Sequence, residues 1–369
     1  MIRLEEVTKN YEDTTAVDRL SLQIEEGEVC VLIGPSGCGK TTTLRMVNRL
    51  IEPSRGRIFI DGQETNRVKP EQLRQSIGYA IQSVGLFPHM TVAANIAVVP
   101  ELRHWEKGRI SRRTEELLDL VGLNPGEYAP KYPNHLSGGE AQRIGVARAL
   151  AADPPILLMD EPFGAVDPLT RERLQAQFAR IQQELKKTVI LVTHDLDEAI
   201  RLADRIAIME AGKLVQYDTP EKILSRPANR FVHNFVGSDR ALKRLSRIGI
   251  KDYIRPTPSV TTGTFLQDVA SAIGNRHSIW VVNSERQPIG WIDRTHLSGA
   301  VSTAGAAIIQ NMDEITVTNN ATLREALSRM LGQGVKDIPV IDEKKRLIGE
   351  VTLGDVEAAT AEEGGVNDS

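Results

Sequence analysis

Residues 29–41 read VCVLIGPSGCGKT, a short apolar run that passes directly into a glycine-rich loop. The loop, GPSGCGKT at 34–41, matches the pattern GxxxxGK[ST] in full, and the residues after it carry a helical apolar spacing. In such a strand–loop–helix unit, backbone N–H groups close around phosphates and the helix start adds the positive end of its dipole. The stretch therefore predicts a nucleotide-binding α/β fold.

The side chains of this loop have separate expected roles. We predict that Lys40 neutralises the β- and γ-phosphate oxygens of a nucleotide and that Thr41 offers its hydroxyl to Mg²⁺. Cys38 is interpreted as a small residue at a variable loop position, because the sequence indicates no His or Asp partner that would make it a nucleophile. The predicted nucleotide contacts in the loop are Gly34, Pro35, Ser36, Gly37, Cys38, Gly39, Lys40, Thr41 and Thr42.

Around the loop, the first 235 or so residues alternate short β-branched runs with helical patterns, which is typical of a parallel α/β sheet. Strands are predicted at 29–33, 57–60, 77–81, 156–159, 189–193 and 205–209. Helices are predicted at 41–50, 112–121, 139–151 and 168–186, each bounded by Pro, Gly or Asp.

Length and composition are those of an ordinary soluble protein of two or three domains: 369 residues, 41% hydrophobic and 25% charged. A formal net charge of -4 disfavours nucleic acid as the main partner. No apolar stretch approaches the roughly 20 residues that span a bilayer, and the N-terminus lacks the apolar run of a signal peptide. With only Cys30 and Cys38 present, we expect a reducing cytoplasm and no cysteine-based metal site.

A second motif, PPILLMDEP at 154–162, is an apolar strand that ends in two carboxylates. Asp160, at the end of the predicted strand, can hold the Mg²⁺ shell of a bound nucleotide. Glu161, one residue further, can take a proton from the attacking water. Together with the phosphate loop, this pair predicts nucleotide hydrolysis.

The segment LSGGEAQRIGVARAL at 136–150 precedes the carboxylate pair. Here the sequence resembles the ATP-binding subunits of ABC transporters, whose signature is LSGGQ. The resemblance implies that Ser137, Gly138 and Gly139 contact the γ-phosphate held by a second subunit, at a helix start rich in N–H groups. Glu140 stands where the family usually has Gln. Because a carboxylate near a helix N-terminus is stabilised by the helix dipole, we expect a site whose activity is modified rather than lost.

Four further residues match this family in order. The resemblance implies that Gln82 senses Mg²⁺ and nucleotide, that His194 contacts the γ-phosphate and that Tyr11 stacks on adenine. Asp167, in GAVDP, matches the loop that the family usually writes SALDP. The predicted catalytic set is Glu161, His194, Gln82 and Lys40, and the predicted metal set is Thr41, Gln82 and Asp160.

The C-terminal part contains an internal repeat, in which SIWVVNSERQPIGWI at 278–292 matches DIPVIDEKKRLIGEV at 337–351. Its pattern predicts a unit of helix, strand, turn, strand and helix, and it resembles a tandem pair of CBS domains. Thr352 and Asp355 match the [ST]xxD with which nucleotide-binding members hold ribose and phosphate, whereas Asp293 and His296 break that pattern in the first copy. The resemblance implies that the pair responds to ionic strength or to a bound adenine nucleotide such as cyclic di-AMP. A module that only packs or dimerises is the alternative.

These observations divide the chain as follows: ATPase domain 1–236, linker 237–250, degenerate first CBS domain 251–310, second CBS domain 311–360 and disordered tail 361–369. The whole chain, and 41–63 in particular, is similar to ATPase subunits of importers for glycine betaine, carnitine, choline or proline. This resemblance implies a head-to-tail homodimer on the cytoplasmic side of the plasma membrane. It also implies integral membrane permease subunits as partners and, indirectly, an extracytoplasmic solute-binding protein, with no nucleic acid.

Three other functions are weighed against this prediction. An importer of another small solute, such as an amino acid, is the runner-up. A soluble ABC protein acting on ribosomes or DNA is disfavoured, because the chain has one ATPase cassette and no long coiled-coil insertion. A sensor with a degenerate ATPase is disfavoured, because Lys40, Asp160, Glu161 and His194 are intact.

Overall fold

The computed structural model describes residues 1–81, 85–164, 166–237, 239–294 and 312–361, except for the side chains of 169, 266 and 361. It divides into two compact units, Met1–Gly237 and Ser238–Ser369. The first unit contains the phosphate loop, and the second contains the sequence repeat. Within the described ranges, no helix is long and apolar enough to cross a membrane.

A six-stranded sheet lies at the centre of the first unit, in the order β10-β9-β3-β8-β7-β6. Its strands pair in parallel, except that β10 runs antiparallel to β9 at one edge. The inner strands are continuous apolar runs because both of their faces are covered. The strands are β3 (Val29–Ile33), β6 (Ile77–Ala80), β7 (Ile156–Asp160), β8 (Thr188–Val192), β9 (Arg205–Glu210) and β10 (Lys213–Asp218).

Ten helices accompany this sheet in the part of the first unit that the structure describes. The predicted helix 112–121 begins five residues earlier than expected, because Ile110 continues the buried face that Thr114 and Leu117 form. The helices are α1 (Lys40–Val47), α2 (Pro70–Gln75), α3 (Val92–Leu102), α4 (Lys107–Leu120), α5 (Pro125–Tyr128), α6 (Gly138–Leu150), α7 (Pro168–Leu185), α8 (Leu196–Leu202), α9 (Pro220–Ser225) and α10 (Arg230–Val236).

A second sheet of the first unit is antiparallel, in the order β2-β1-β4-β5. It contains β1 (Ile2–Tyr11), β2 (Thr14–Ile24), β4 (Arg55–Ile60) and β5 (Gln63–Glu64). The prediction that 57–60 belongs to the parallel sheet is therefore wrong, since Ile60 pairs with Ile2 and Ile58 with Leu4. The alternation of buried and exposed residues in these strands is typical of an antiparallel sheet with one covered face.

Strand β3 lies between two hydrophobic cores, and alternate residues face alternate cores. Val31 and Ile33 belong to the core that the helices α3, α4 and α6 cover. Cys30 and Leu32 belong to the core that contains the antiparallel sheet. Because both faces of β3 are buried, the loop that leaves its end is anchored on both sides.

The described residues of the second unit form two three-stranded sheets, and the second and third strands of one sheet begin 59 residues before those of the other. The predicted repeat lacked its first strand: β11 and β14 precede the helices and pair in parallel with the following strand. They are too short, at three and two residues, for a period to show. The first copy has β11 (Ser259–Thr261), α12 (Leu266–Ile273), β12 (Ser278–Val282) and β13 (Pro288–Asp293); the second has α13 (Met312–Ile315), β14 (Val317–Thr318), α14 (Leu323–Gln333), β15 (Asp337–Ile341), β16 (Leu347–Thr352) and α15 (Leu353–Ala361).

The segment predicted as a linker, 237–250, contributes to the core of the second unit. It contains α11 (Arg240–Leu245), and Leu245 and Ile250 are buried in the same core as Leu323. The N–H of Ile250 also donates to the carbonyl of Ala321 at 3.0 Å. These contacts tie residues 245–250 to the second repeat copy. Of the predicted tail 361–369, Ala361 ends α15 and residues 362–369 lie outside the described residues. Residues 295–310 of the predicted first CBS domain and residue 311 of the second also lie outside them.

A buried carboxylate joins the two copies of the repeat. Glu350 of β16 is 3% exposed and accepts hydrogen bonds from Trp280 Nε1 at 3.0 Å and Thr257 Oγ1 at 2.7 Å. Arg276 forms an ion pair with its other oxygen. The equivalent position in the first copy is Trp291, whose ring lies edge-on to Trp280. The repeat is therefore asymmetric at this point, because the carboxylate of the second copy bonds to side chains of the first copy and the first copy has no equivalent carboxylate.

Removal of this carboxylate is expected to destabilise the second unit. Glu350→Ala leaves Trp280 Nε1 without its acceptor and Arg276 without its carboxylate partner, and we expect a loss of about 3 kcal/mol in the free energy of unfolding. Urea unfolding followed by tryptophan fluorescence measures it, since two of the three tryptophans lie in this unit. The control Glu343→Ala, at an exposed position, is expected to change it by less than about 0.5 kcal/mol. Equal effects of the two substitutions would contradict the prediction.

Candidate active site

The glycine-rich loop connects β3 to α1 and is pressed against neighbouring strands. Gly34 and Gly39 have φ angles of +153° and +103°. A Cβ at Gly34 would collide with the carbonyl of Met209, and one at Gly39 would collide with the carbonyl of Ala16. No side chain caps α1 at Gly39, so the first N–H groups of this helix are presented to a ligand. A helix start of this kind fits an anion such as a nucleotide phosphate.

Lys40 lies inside the loop rather than in solvent, with 8% of its surface exposed. Its Nζ donates to the carbonyl of Gly34 at 2.7 Å and to that of Pro35 at 3.0 Å. Cys38 Sγ lies 3.7 Å from the same ammonium and is itself buried. The structure thus places the predicted phosphate-binding cation at the centre of the loop, where Cys38 serves as packing.

Thr41 and Asp160 are in direct contact, although they are 119 positions apart in the sequence. Thr41 Oγ1 donates to Asp160 Oδ1 at 3.0 Å, and Asp160, the last residue of β7, is 2% exposed. Burial raises the pKa of the Asp160 carboxyl, while the Thr41 hydroxyl and the charges of Arg45 and Lys40 act in the opposite direction. Two oxygen ligands, one of them a buried carboxylate, fit a hard divalent cation such as Mg²⁺.

Glu161 and His194 are brought together at the ends of neighbouring strands. Glu161 follows β7, His194 follows β8, and Glu161 Oε1 lies 3.3 Å from His194 Nδ1. Both side chains reach solvent, with 23% and 67% of their surfaces exposed. A carboxylate with this access can take a proton from a water molecule. The structure therefore assembles Lys40, Thr41, Asp160, Glu161 and His194 around one loop.

The backbone of Glu161 has a left-handed conformation, with φ +49°. Its N–H donates to the carbonyl of Val192 at 2.9 Å, and its own carbonyl accepts from Gln142 Nε2 at 2.8 Å. Sequence reasoning missed Gln142, although it lies in the quoted segment 136–150. Its position on the buried helix face with Gly145 and Ala149 was the available signal.

The predicted signature residues form the start of α6. Ser137 is its N-cap, and Ser137 and Glu140 exchange side-chain and backbone hydrogen bonds in a capping box. Glu140 Oε2 accepts from the Ser137 N–H at 2.7 Å, and Oε1 accepts from the Tyr128 hydroxyl at 2.6 Å. The Tyr128 hydrogen bond, followed by that of Ser137, lowers the pKa of Glu140. Glu140 thus stabilises the helix start that carries Ser137, Gly138 and Gly139.

The remaining predicted residues have other described contacts or lie outside the described residues. Asp167 caps α7 and accepts from the N–H of Thr170 at 3.0 Å. Tyr11 ends β1 with 47% of its surface exposed, and Lys9 Nζ lies over its ring, 5.0 Å from the centroid. Among the described contacts, no hydrogen bond or ion pair joins Ser137 or Tyr11 to the loop. Gln82 lies outside the described residues.

In the second unit, Thr352 and Asp355 bond to each other at the start of α15. The backbone N–H and hydroxyl of Thr352 donate to Asp355 Oδ2 at 2.9 and 2.7 Å. Arg255 forms an ion pair with Oδ1, and Asp355 is 3% exposed. Both carboxylate oxygens therefore already have protein partners, which favours a packing role. Asp293 ends β13, and His296 lies outside the described residues.

Comparison with known proteins places these features in a family. The family described as "ABC transporter" matches residues 17–164, and the CBS domain family matches 250–303 and 308–362. The osmoprotectant import ATP-binding protein OsmV of Salmonella typhimurium is 46% identical over 95% of this chain and 94% of that protein. The glycine betaine/carnitine/choline transport ATP-binding protein OpuCA of Bacillus subtilis has the same identity and coverage. ProV of Salmonella typhimurium, a glycine betaine/proline betaine transport ATP-binding protein, is 39% identical over 94% of this chain and 88% of its own length.

Solved structures of ATP-binding cassettes are also similar to part of the chain. A dimeric post-hydrolysis structure of the ATP-binding cassette MJ0796, bound to ADP and Pi, is 33% identical with a TM-score of 0.56. It covers 59% of this chain and 98% of its own. The cbiO1 protein of Clostridium perfringens, part of an ABC transporter complex, is 27% identical with a TM-score of 0.56, covering 62% of this chain and 91% of its own.

The fold and the site define an ATP-binding subunit of an ABC transporter, and the chain belongs to that family. Within it, the chain is similar to the osmoprotectant import ATP-binding proteins named above, and it carries a C-terminal pair of CBS domains. The predicted fold class, an α/β ABC ATPase domain followed by a tandem CBS pair, is confirmed. So is the prediction of an ATPase coupled to solute import.

Proposed function

We propose that the chain is the ATP-hydrolysing subunit of an importer for quaternary-amine compatible solutes such as glycine betaine, carnitine and choline. The arrangement of Glu161 and His194 beside Asp160 and the phosphate loop carries the hydrolytic part of this proposal. The names of relatives that match 95% of the chain support the class of solute. Two copies work on the cytoplasmic side of the membrane, bound peripherally to integral membrane permease subunits.

In this function, two ATP molecules bind between two copies arranged head to tail. The phosphates lie at the loop of one copy, where Lys40 exchanges the carbonyls of Gly34 and Pro35 for phosphate oxygens. Tyr11 stacks on the adenine ring. Ser137 to Gly139 of the second copy close the site from the other side, through the N–H groups at the start of α6.

Hydrolysis then requires a base and stabilisation of the developing charge. Water attacks the γ-phosphorus, its proton passes to Glu161, and the bond to the β,γ-bridging oxygen breaks to release ADP. His194 and Lys40 stabilise the negative charge of the transition state. Thr41, Asp160 and Gln82 would hold Mg²⁺, which when bound neutralises phosphate charge.

The segment 82–97 is proposed to contact a cytoplasmic helix of the permease. Its described part is cross-linked by hydrogen bonds: the side chain of Asn95, which is fully buried, bonds to the backbone of Phe87, Met90 and Thr91. Phe87 itself is 41% exposed and therefore available to a partner. Closure of the ATPase pair would move this segment and drive alternating access in the permease, which receives solute from an extracytoplasmic binding protein.

Uptake measurements test the class of solute. Host cells with and without the gene are given labelled glycine betaine, carnitine, choline and amino acids, at low and high external salt. Loss of salt-stimulated uptake of the quaternary amines on deletion is the expected result. Loss of amino-acid uptake alone would establish the runner-up, and a strain lacking other betaine systems serves as background.

The negative charge of Glu140 is expected to weaken ATP binding by the pair of subunits. Glu140→Gln keeps an oxygen acceptor in the capping box but removes a charge next to the proposed γ-phosphate site. We expect the KM for ATP to fall about threefold with kcat little changed. The control Glu115→Gln makes the same charge change at an exposed position of α4. An unchanged or higher KM in Glu140→Gln would contradict the prediction.

Regulation by the CBS pair is part of the proposal. An adenine nucleotide such as cyclic di-AMP would contact Thr352 and Asp355 once Arg255 leaves the Asp355 carboxylate. Equilibrium dialysis of the full chain with labelled cyclic di-AMP tests this, with Asp355→Ala as the comparison. Binding that Asp355→Ala removes would support a ligand site, and no binding to either form would assign Thr352 and Asp355 to packing alone.

A further inference from the structure

The main chain of Glu161 is held in a conformation that it would not adopt unaided. A non-glycine residue with φ +49° costs on the order of 1–3 kcal/mol and persists only where neighbouring groups hold it. Three described contacts contribute to this here. The Glu161 N–H donates to Val192 O, and the Glu161 carbonyl accepts from the Gly164 N–H at 3.2 Å and from Gln142 Nε2 at 2.8 Å.

Two of these contacts are local to the sheet and to the turn after β7, but the third comes from α6. Gln142 is 5% exposed and lies five residues beyond Ser137, the N-cap of that helix. The helix start also packs beside the same turn, since a Cβ at Gly139 would lie 3.8 Å from Val166. A rigid helix therefore connects the signature residues to the backbone of the proposed base.

We infer that Gln142 is a positioning residue that links the base Glu161 to α6, the helix whose first turn contacts the ATP bound by the other copy. This inference rests on the proposed function, in which Ser137 to Gly139 complete the second copy's site. A shift of α6 on engagement of that ATP displaces Gln142 Nε2 and with it the Glu161 carbonyl. Rotation of the Glu161 main chain redirects its carboxylate near His194. The rate of ATP hydrolysis in each copy therefore depends on whether that copy contacts the ATP bound by the other copy.

The consequence is cooperativity between the two ATP sites. Within each chain, the coupling passes from the start of α6 through Gln142 to Glu161. Loss of the Gln142 hydrogen bond would leave ATP binding and pairing intact but would release the base from the signature helix. The expected signature is a lower kcat with an unchanged KM for ATP, together with a Hill coefficient that falls towards one. A residue that only stabilises the fold would not produce this combination.

The test uses the purified full chain and its steady-state ATPase rate over a range of ATP concentrations. Gln142→Met keeps the size of the side chain without the amide, and we expect kcat to drop roughly 10- to 100-fold with KM within about twofold. Gln142→Asn retains an amide that is one methylene too short and is expected to give the same loss. The matched control is Arg143→Met, which removes donors from the same helix to the carbonyls of Val121 and Gly122.

ATP-dependent dimerisation, measured by size-exclusion chromatography in a Glu161→Gln background, separates the inference from the proposed function. Dimerisation that Gln142→Met leaves unchanged, with kcat reduced only in the Gln142 variants, supports the inference. A wild-type kcat in both Gln142 variants, or an equal loss in Arg143→Met, overturns it. A wild-type chain with no ATPase activity overturns the proposed function instead.

Discussion

Glu161→Gln is expected to abolish ATP turnover while ATP still binds. Glutamine has nearly the same shape and keeps an oxygen acceptor towards His194 Nδ1, so the site geometry is retained. It cannot take the proton of the attacking water, and a general base contributes on the order of 10²- to 10⁴-fold to the rate. Phosphate release measures turnover, and binding of a fluorescent ATP analogue measures affinity.

The control for this substitution is Glu210→Gln, an exposed acid at the end of β9, which is expected to hydrolyse ATP at the wild-type rate. Hydrolysis by Glu161→Gln at the wild-type rate would show that another group accepts the proton. Loss of ATP binding as well would assign Glu161 a structural role, which its left-handed backbone makes a real alternative.

Gly39→Ala is expected to prevent ATP binding and to destabilise the first unit. The φ of +103° disfavours any side chain, and the added Cβ would collide with the carbonyl of Ala16 and lie 3.1 Å from Val17 Cγ2. Backbone strain of about 1–2 kcal/mol and overpacking of about 1–3 kcal/mol act together. Relief of the collision must move the start of α1, where Lys40 and Thr41 lie.

Gly62→Ala is the matched control for Gly39→Ala. Its φ is +78°, but nothing lies within 4 Å of the added Cβ, and it belongs to the turn between β4 and β5. We expect a cost of about 1–2 kcal/mol and unchanged ATP binding. Titration calorimetry with ATP and thermal unfolding of both variants check the pair. Comparable ATP affinity of the two variants would show that the collision at Gly39 is relieved without moving the loop.

Several parts of this molecule could be predicted because the information is local. The strand, loop and helix at 29–47 are contiguous in sequence, as are the two carboxylates at the end of β7, and the pattern of residue types reports their geometry directly. The register of the repeat could be read in the same way: β12 and β15 begin at Ser278 and Asp337, as the matched segments indicated. The capping box that Ser137 and Glu140 form is also a four-residue pattern.

Other predictions failed or were never made because they depend on distant partners. Residues 57–60 read as a strand, but only their pairing with β1 places them in the antiparallel sheet. The short strands β11 and β14 gain their structure from β12 and β15 rather than from their own few residues. Residues 245–250 read as a linker until the buried contacts of Leu245 and Ile250 are seen.

By itself, the sequence determined the fold class, the phosphate loop and the identity of the residues that could hold and hydrolyse a nucleotide. Tertiary structure decided that Thr41 meets Asp160, that Glu161 meets His194 and that Gln142 holds the Glu161 backbone. It likewise decided that Arg255 forms an ion pair with the Asp355 carboxylate. Local patterns can be read from the sequence because helices and strands repeat every 3.6 and 2.0 residues. The tertiary contacts join residues 19 to 119 positions apart, and they exist only once packing fixes the path of the chain.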